Sequence, residues 1–286
     1  MNERTLQFGP SRELVGTLCT PPAASRPAAG ATGLLLLNAG IVHRIGPHRI
    51  NVRLAREAAT LGVPSLRFDL AGRGDSLPAA SGLPYDEQAA ADVCEAVATL
   101  CRYARVDSVM VFGICSGADD SLAAAMKEPR ITSLVMFDPP IYPNLRWRLR
   151  SYLGKLRKFG IRGGIERFLA MRQIMAGVDI GEGDNYGRDV LPLQEYRARL
   201  RALVDRGAAV RLVYSGSSCD DTDFLAQRRT VLQPAGLEGL VEAEFLPDVD
   251  HVVSTRAAQD LLVARLHDWI ARLGEGRAGD ARERAC

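Results

Sequence analysis

The stretch SVMVFGICSGADDSLAAAMK, Ser108 to Lys127, decides how this chain reads. Val109 to Phe112 are apolar and mostly β-branched or aromatic, which suits a buried strand. Ser116 to Lys127 then reads as a helix. Between them lies Gly113-Ile114-Cys115-Ser116-Gly117. A side chain at the apex of so sharp a strand-to-helix turn needs small residues two before and two after it, because anything larger meets the neighbouring strand or helix. Gly113 and Gly117 meet that demand when the apex is Cys115. With Ser116 at the apex, Ile114 would fill a small position, and it does not fit. The spacing therefore selects cysteine over serine as the nucleophile.

The chain around this turn alternates strand and helix. Glu13 to Thr20 reads as an early strand. GLLLLNAG, Gly33 to Gly40, is a continuous apolar run stopped by small residues, as in a strand buried on both faces. Pro47 to Leu61 places Ile50, Leu54, Ala58 and Leu61 on one helical face, and Gly62 fits the stop. Val63 to Phe68 is a strand that ends in DLAGRGDS, and Tyr85 to Tyr103 is a long amphipathic helix. Ile131 to Phe137, Ala209 to Ser215 and Val241 to Leu246 complete the strands. Thr255 to Leu273 closes the chain as a helix. This rhythm predicts an α/β fold with a mostly parallel central sheet flanked by helices. It breaks between Ile141 and Arg206, where no strand is evident. The domain reading is therefore a core over 1–140 and 208–273, a helical lid over 141–207, and a disordered tail over 274–286.

Composition narrows the class. The chain has 286 residues, 24% of them charged, and a net charge of +2. So small a charge points to neither nucleic acid nor a membrane surface as a partner. The six cysteines form no CxxC pair, and the four histidines stand in no metal-binding spacing, so no metal is expected. No GxGxxG follows the first strand, and no cofactor is expected. No apolar run approaches the length of a membrane span, and MNERTLQFGP does not read as a signal peptide. The expectation is a cytoplasmic protein with reduced thiols.

A thiol needs a base to act at neutral pH. Where such an elbow occurs, the partners follow in chain order as nucleophile, acid, histidine. His251, in the loop after the last strand, fits that order. His267 lies within the closing helix. The acid is expected after the strand Ala209 to Ser215, in GSSCDDTDF. Of Asp220, Asp221 and Asp223 there, Asp221 is preferred and Asp220 comes next, one of the others is left to cap the helix near Phe224, and Asp248 and Asp250 beside His251 are weaker rivals. The oxyanion hole is expected at the N–H of Ser116 and of Gly40 or Ile41. Arg44, His43 and Asp138 are expected on the substrate side. Asp119 and Asp120, in the first turn after Cys115, work against a low thiol pKa.

NAGIVHRIGPHR, LRFDLAGRGDS, FGICSGA, VYSG with its acidic residues and the late Asp250-His251 together resemble the α/β-hydrolase superfamily. The HRIGPHR stretch with a GxCxGA elbow is similar to the exosortase-A-system-associated and serine-aminopeptidase-like hydrolases. Dienelactone hydrolases share a cysteine elbow but lack a large lid. The resemblance covers Gly33 to Leu273 apart from the lid. It implies a Cys115-His251-Asp triad performing acyl transfer. Cysteine in place of the usual serine makes the acyl-enzyme a thioester, which favours exchange with coenzyme A or carrier-protein thioesters. The expected activity is that of a thioesterase or acyltransferase on a small-molecule acyl group. Arg146, Arg148, Arg150, Lys155, Arg157 and Lys158 of the lid are candidates to meet a pantetheine phosphate or an acidic carrier protein. The alternatives are an ester, lactone or peptide hydrolase, and a non-catalytic ligand-binding protein.

Overall fold

The computed structural model describes residues 1–22, 31–142 and 190–283, with side chains as far as Arg272. The strands are β1 (Asn2–Phe8), β2 (Leu14–Thr20), β3 (Thr32–Leu37), β4 (Ser65–Asp69), β5 (Ser108–Ile114), β6 (Ile131–Phe137), β7 (Ala209–Ser215) and β8 (Val241–Leu246). They form one sheet in the order β1-β2-β4-β3-β5-β6-β7-β8. β1 and β2 are antiparallel to each other, and β2 is antiparallel to β4. Every pairing from β4 to β8 is parallel. The described helices are α1 (Ile50–Thr60), α2 (Tyr85–Ala104), α3 (Ser116–Ala125), α4 (Leu193–Asp205), α5 (Asp221–Leu232) and α6 (Arg256–Glu283).

Both faces of the sheet are buried, and alternate side chains serve opposite cores because the strand period is two. Leu35 and Leu37 of β3, Val109 and Val111 of β5, and Leu134 and Met136 of β6 pack into the core that also holds residues of α2, α3 and α4. Leu34 and Leu36, Met110 and Phe112, and Val135 and Phe137 pack on the other side with residues of α1 and α6, including Trp269. Burying one such aromatic or leucine contributes about 2 kcal/mol, so these continuous apolar runs hold the central strands in place.

Three departures from the sequence reading stand out. β1 was not expected: it is a charged edge strand with little apolar periodicity, held by pairing along its whole length with β2. α6 continues to Glu283, through the stretch read as a tail, whose Ala, Arg and Glu residues favour helix. The stretch expected to form the lid falls mainly on residues outside those described, including Arg146, Arg148, Arg150, Lys155, Arg157 and Lys158. Its C-terminal part is α4, which buries Tyr196, Leu200 and Leu203 in the core. Among the described residues, no helix is long and apolar enough to cross a membrane.

Candidate active site

The C-terminal ends of the parallel strands bring the chemistry together, where side chains and backbone groups from several loops converge. β5 ends in the elbow. Cys115 has φ 55° and ψ −120°, a conformation rarely adopted by a residue with a side chain. Its N–H donates to the Phe137 carbonyl of β6 at 2.9 Å, and its carbonyl accepts from Ala118 N–H at 2.9 Å. The flanking glycines are required by contact. A Cβ on Gly113 would lie 2.3 Å from the Gly117 carbonyl oxygen, and one on Gly117 would lie 2.5 Å from the Asn38 carbonyl oxygen. Cys115 is buried and occupies the N-cap position of α3 without a side-chain cap hydrogen bond, at the helix end where the dipole favours negative charge.

His251, in the loop after β8, is hydrogen-bonded through its side chain to Cys115. Its Nδ1 lies 2.7 Å from Asp138 Oδ2. A carboxylate only accepts, so Nδ1 carries the proton and Nε2 is the nitrogen left for the thiol. Burial works against a charge on His251, but the hydrogen bonds to Asp138 and Cys115 outweigh it, and its pKa is pushed up to about 9. The backbone N–H of His251 donates to Ser217 Oγ at 3.2 Å, tying the histidine loop to the end of β7.

The carboxylate on His251 is therefore Asp138, from the end of β6, and neither Asp221 nor Asp220 from the loop after β7. Asp138 is buried and accepts from three donors. They are Ser215 N–H at 2.7 Å, Ser215 Oγ–H at 2.8 Å and His251 Nδ1–H. Its own N–H donates to Val213 at 2.7 Å, so it sits between β5 and β7 in register. The loop after β7 meets the histidine through Ser217 Oγ, at its backbone N–H, and not through Asp220 or Asp221. Gly216 N–H is held by the Leu246 and Val249 carbonyls, and a Cβ there would lie 2.1 Å from the Pro247 carbonyl oxygen. The chain then runs straight into α5. Asp220 caps that helix by accepting from Asp223 N–H at 2.9 Å, and Asp221 is exposed in its first turn. One signal for Asp138 was available in the sequence, an acid directly after the apolar run Leu134 to Phe137. Which strand end faces His251 was not.

Of the oxyanion candidates, Gly40 and Ser116 meet directly, with Gly40 N–H donating to Ser116 Oγ at 2.7 Å. Ser116 is thus committed to Gly40 and stands off the apex. Ile41 is 87% exposed beside them, and Val42 and Val252 add exposed apolar surface next to Gly40 and His251.

No family model matches this sequence, and no curated protein matches it. Solved structures do. A serine hydrolase from Xanthomonas campestris, described as lacking a lid, is 15% identical with a TM-score of 0.57, over 95% of this chain and 94% of that one. An esterase from Pyrococcus furiosus is 13% identical with a TM-score of 0.58, over 95% and 90%. An α-β serine hydrolase homologue from Coxiella burnetii is 13% identical with a TM-score of 0.55, over 93% and 95%. The chain has the α/β-hydrolase fold. At these identities the likeness is one of architecture.

Within this α/β-hydrolase fold, two residues expected on the substrate side are held by carboxylates at the end of β4 and in the loop after it. Arg44 is buried. Its N–H donates to Asp69 Oδ1 at 2.5 Å, and its guanidinium donates to Asp69 Oδ2 at 2.5 Å and Asp75 Oδ2 at 2.7 Å. It staples the loop after β3 to the loop after β4, which accounts for the pairing of HRIGPHR with DLAGRGDS. His43 joins the cluster, 3.3 Å from Asp75 Oδ2. His43, Asp69 and Asp75 have the spacing of a metal site. The Arg44 guanidinium, however, already supplies the positive charge at both carboxylates. His267 pairs with Glu57 at 2.6 Å, away from the site.

The other described cysteines differ from Cys115. Burial raises the thiols of Cys19, Cys94 and Cys101, and it pushes Cys219 up to about 12. Among the described cysteines, only Cys115 is hydrogen-bonded to an imidazole.

Proposed function

We propose that this chain is an acyl-transfer enzyme in which Cys115, His251 and Asp138 form the triad, acting on an acyl thioester. The observation that carries the reading is His251 bonded to Cys115 on one side and Asp138 on the other. With its pKa raised to about 9, His251 already holds the Cys115 proton on Nε2 at neutral pH, so the thiolate attacks the acyl carbonyl while Asp138 stabilises the imidazolium. The N–H groups of Ser116 and Gly40 receive the developing oxyanion. The imidazolium then returns its proton to the departing thiolate, leaving the acyl group on Cys115. Water or another nucleophile, deprotonated by His251, releases it.

The thioester preference rests on chemistry. A cysteine acyl-enzyme is itself a thioester, so exchange with a thioester substrate is close to balanced, and attack by an amine runs downhill. The exposed Ile41, Val42 and Val252 beside the reacting groups favour an apolar acyl chain. A carrier protein as donor is part of the same proposal, with the basic residues between Arg146 and Lys158 as its contact.

Intact-mass measurement after mixing with octanoyl-coenzyme A tests this. An octanoyl adduct is expected on Cys115, absent in Cys115→Ala and slowed in His251→Ala. Added amine should divert the product from acid to amide if the enzyme is a transferase. Iodoacetamide at neutral pH should modify Cys115 ahead of Cys19 and Cys94. Absence of any adduct together with unselective alkylation would refute the reading and leave a ligand-binding role.

A further inference from the structure

Gly40 has φ +50°, and nothing lies within 4 Å of where its Cβ would be. Its conformation is thus set by no side-chain packing of its own, although an oxyanion donor must be held within a fraction of an ångström. Two contacts hold it. Its N–H donates to Ser116 Oγ at 2.7 Å, and its carbonyl accepts from the Arg73 guanidinium. That guanidinium stacks on the Tyr85 ring, 4.7 Å from the centroid. The Tyr85 hydroxyl donates to Asp120 Oδ2 at 3.3 Å. Asp120 is buried on α3, one helical turn beyond Ser116. The contacts close a ring that runs from Gly40 through Ser116, α3, Asp120, Tyr85 and Arg73 back to Gly40.

The two clamps on Gly40 are not equivalent. The Ser116 hydroxyl occupies the N–H that a substrate oxygen needs, so it must yield when an acyl group arrives. The grip on the carbonyl does not compete with substrate. We propose that Arg73, braced by Tyr85 and Asp120, is a positioning residue of the oxyanion hole, holding Gly40 in place when Ser116 releases its N–H to the substrate carbonyl oxygen. This rests on the acyl-transfer reading above. It gives a role to the Arg73 of DLAGRGDS, which the triad does not use.

The test is steady-state turnover of octanoyl-coenzyme A by the full chain as wild type, Arg73→Ala, Arg73→Lys and Tyr85→Phe, together with iodoacetamide alkylation of Cys115. Alkylation displaces iodide and develops no oxyanion, so it reports the thiol without the hole. Losing a whole oxyanion donor costs about 10²- to 10³-fold in kcat, and a loosened one less, so Arg73→Ala should lose about 10- to 100-fold. Its KM and alkylation rate should stay within about twofold of wild type. Arg73→Lys should recover part of the loss, and Tyr85→Phe should lose less than Arg73→Ala. Unchanged kcat in Arg73→Ala, or turnover and alkylation falling together, overturns the proposal while leaving the triad standing. A wild type that alkylates at Cys115 yet never turns over overturns the acyl-transfer reading, and this proposal with it.

Discussion

Asp138→Asn separates the carboxylate on His251 from its sequence rivals. An asparagine still accepts from Ser215 N–H, and the Ser215 hydroxyl can rotate to accept from the new amide. His251 cannot adapt so cheaply. Its Nδ1, 2.7 Å from Oδ2, would face an N–H donor and must itself become the acceptor. The ring proton then moves to Nε2, so the nitrogen facing Cys115 can no longer take the thiol proton. The variant also loses the carboxylate that holds the imidazolium, one of the groups behind a pKa of about 9. Loss of the correct tautomer in a comparable triad costs about 10⁴ in kcat, so a fall of roughly 10³ to 10⁴ is expected here, ~4–5.5 kcal/mol of transition-state stabilisation. The assay is kcat for octanoyl-coenzyme A beside Asp221→Asn and Asp220→Asn, with thermal melts to confirm folding. Those two should stay within about threefold of wild type. An Asp138→Asn enzyme within tenfold of wild type, or an inactive Asp221→Asn, would refute the assignment.

Further tests follow from the same geometry. Because the pKa of His251 is raised, the stability it contributes is fully present below its ordinary value near 6.5 and is lost as pH rises through about 9. Turnover should fall over that same upper limb, as the imidazolium that protonates the leaving thiolate disappears. Cys115→Ala, which removes one of the groups raising that pKa, should shift the histidine titration downward, as read by NMR. Gly117→Ala puts a Cβ 2.5 Å from the Asn38 carbonyl oxygen, against backbone that cannot give way. It should destabilise by more than about 2 kcal/mol in urea unfolding. Arg44→Ala strips the guanidinium from Asp69, which is buried, and should cost ~3–5 kcal/mol. A loss under 1 kcal/mol would restore Arg44 as a candidate for substrate contact. Asp220→Ala removes the α5 cap and should cost about 1 kcal/mol by the same measurement.

The strand and sheet readings that needed only local chemistry hold up against the structure. The apolar runs of β3, β5 and β6 identify a doubly covered parallel sheet, because strands buried on both faces must be apolar at successive positions. Gly113 and Gly117 single out Cys115, because the steric demand of the turn is written within five residues. Other features depended on how distant segments pack. β1 is a strand by virtue of its neighbour, since its own polar pattern carries no signal. Arg44 looks like an exposed loop cation until Asp69 and Asp75 arrive from another loop. The acid was expected one strand too far along, because several aspartates follow β7 and chain order alone ranks them first. Cys115 N–H pairs with Phe137 and Asp138 N–H pairs with Val213, so strand register carries Asp138 to the edge of the site. Ser215 aims its carboxylate, and Asp220 is drawn off to cap a helix. A cysteine at an elbow is a local fact of the chain. The carboxylate that answers its histidine is decided by which strand ends lie side by side.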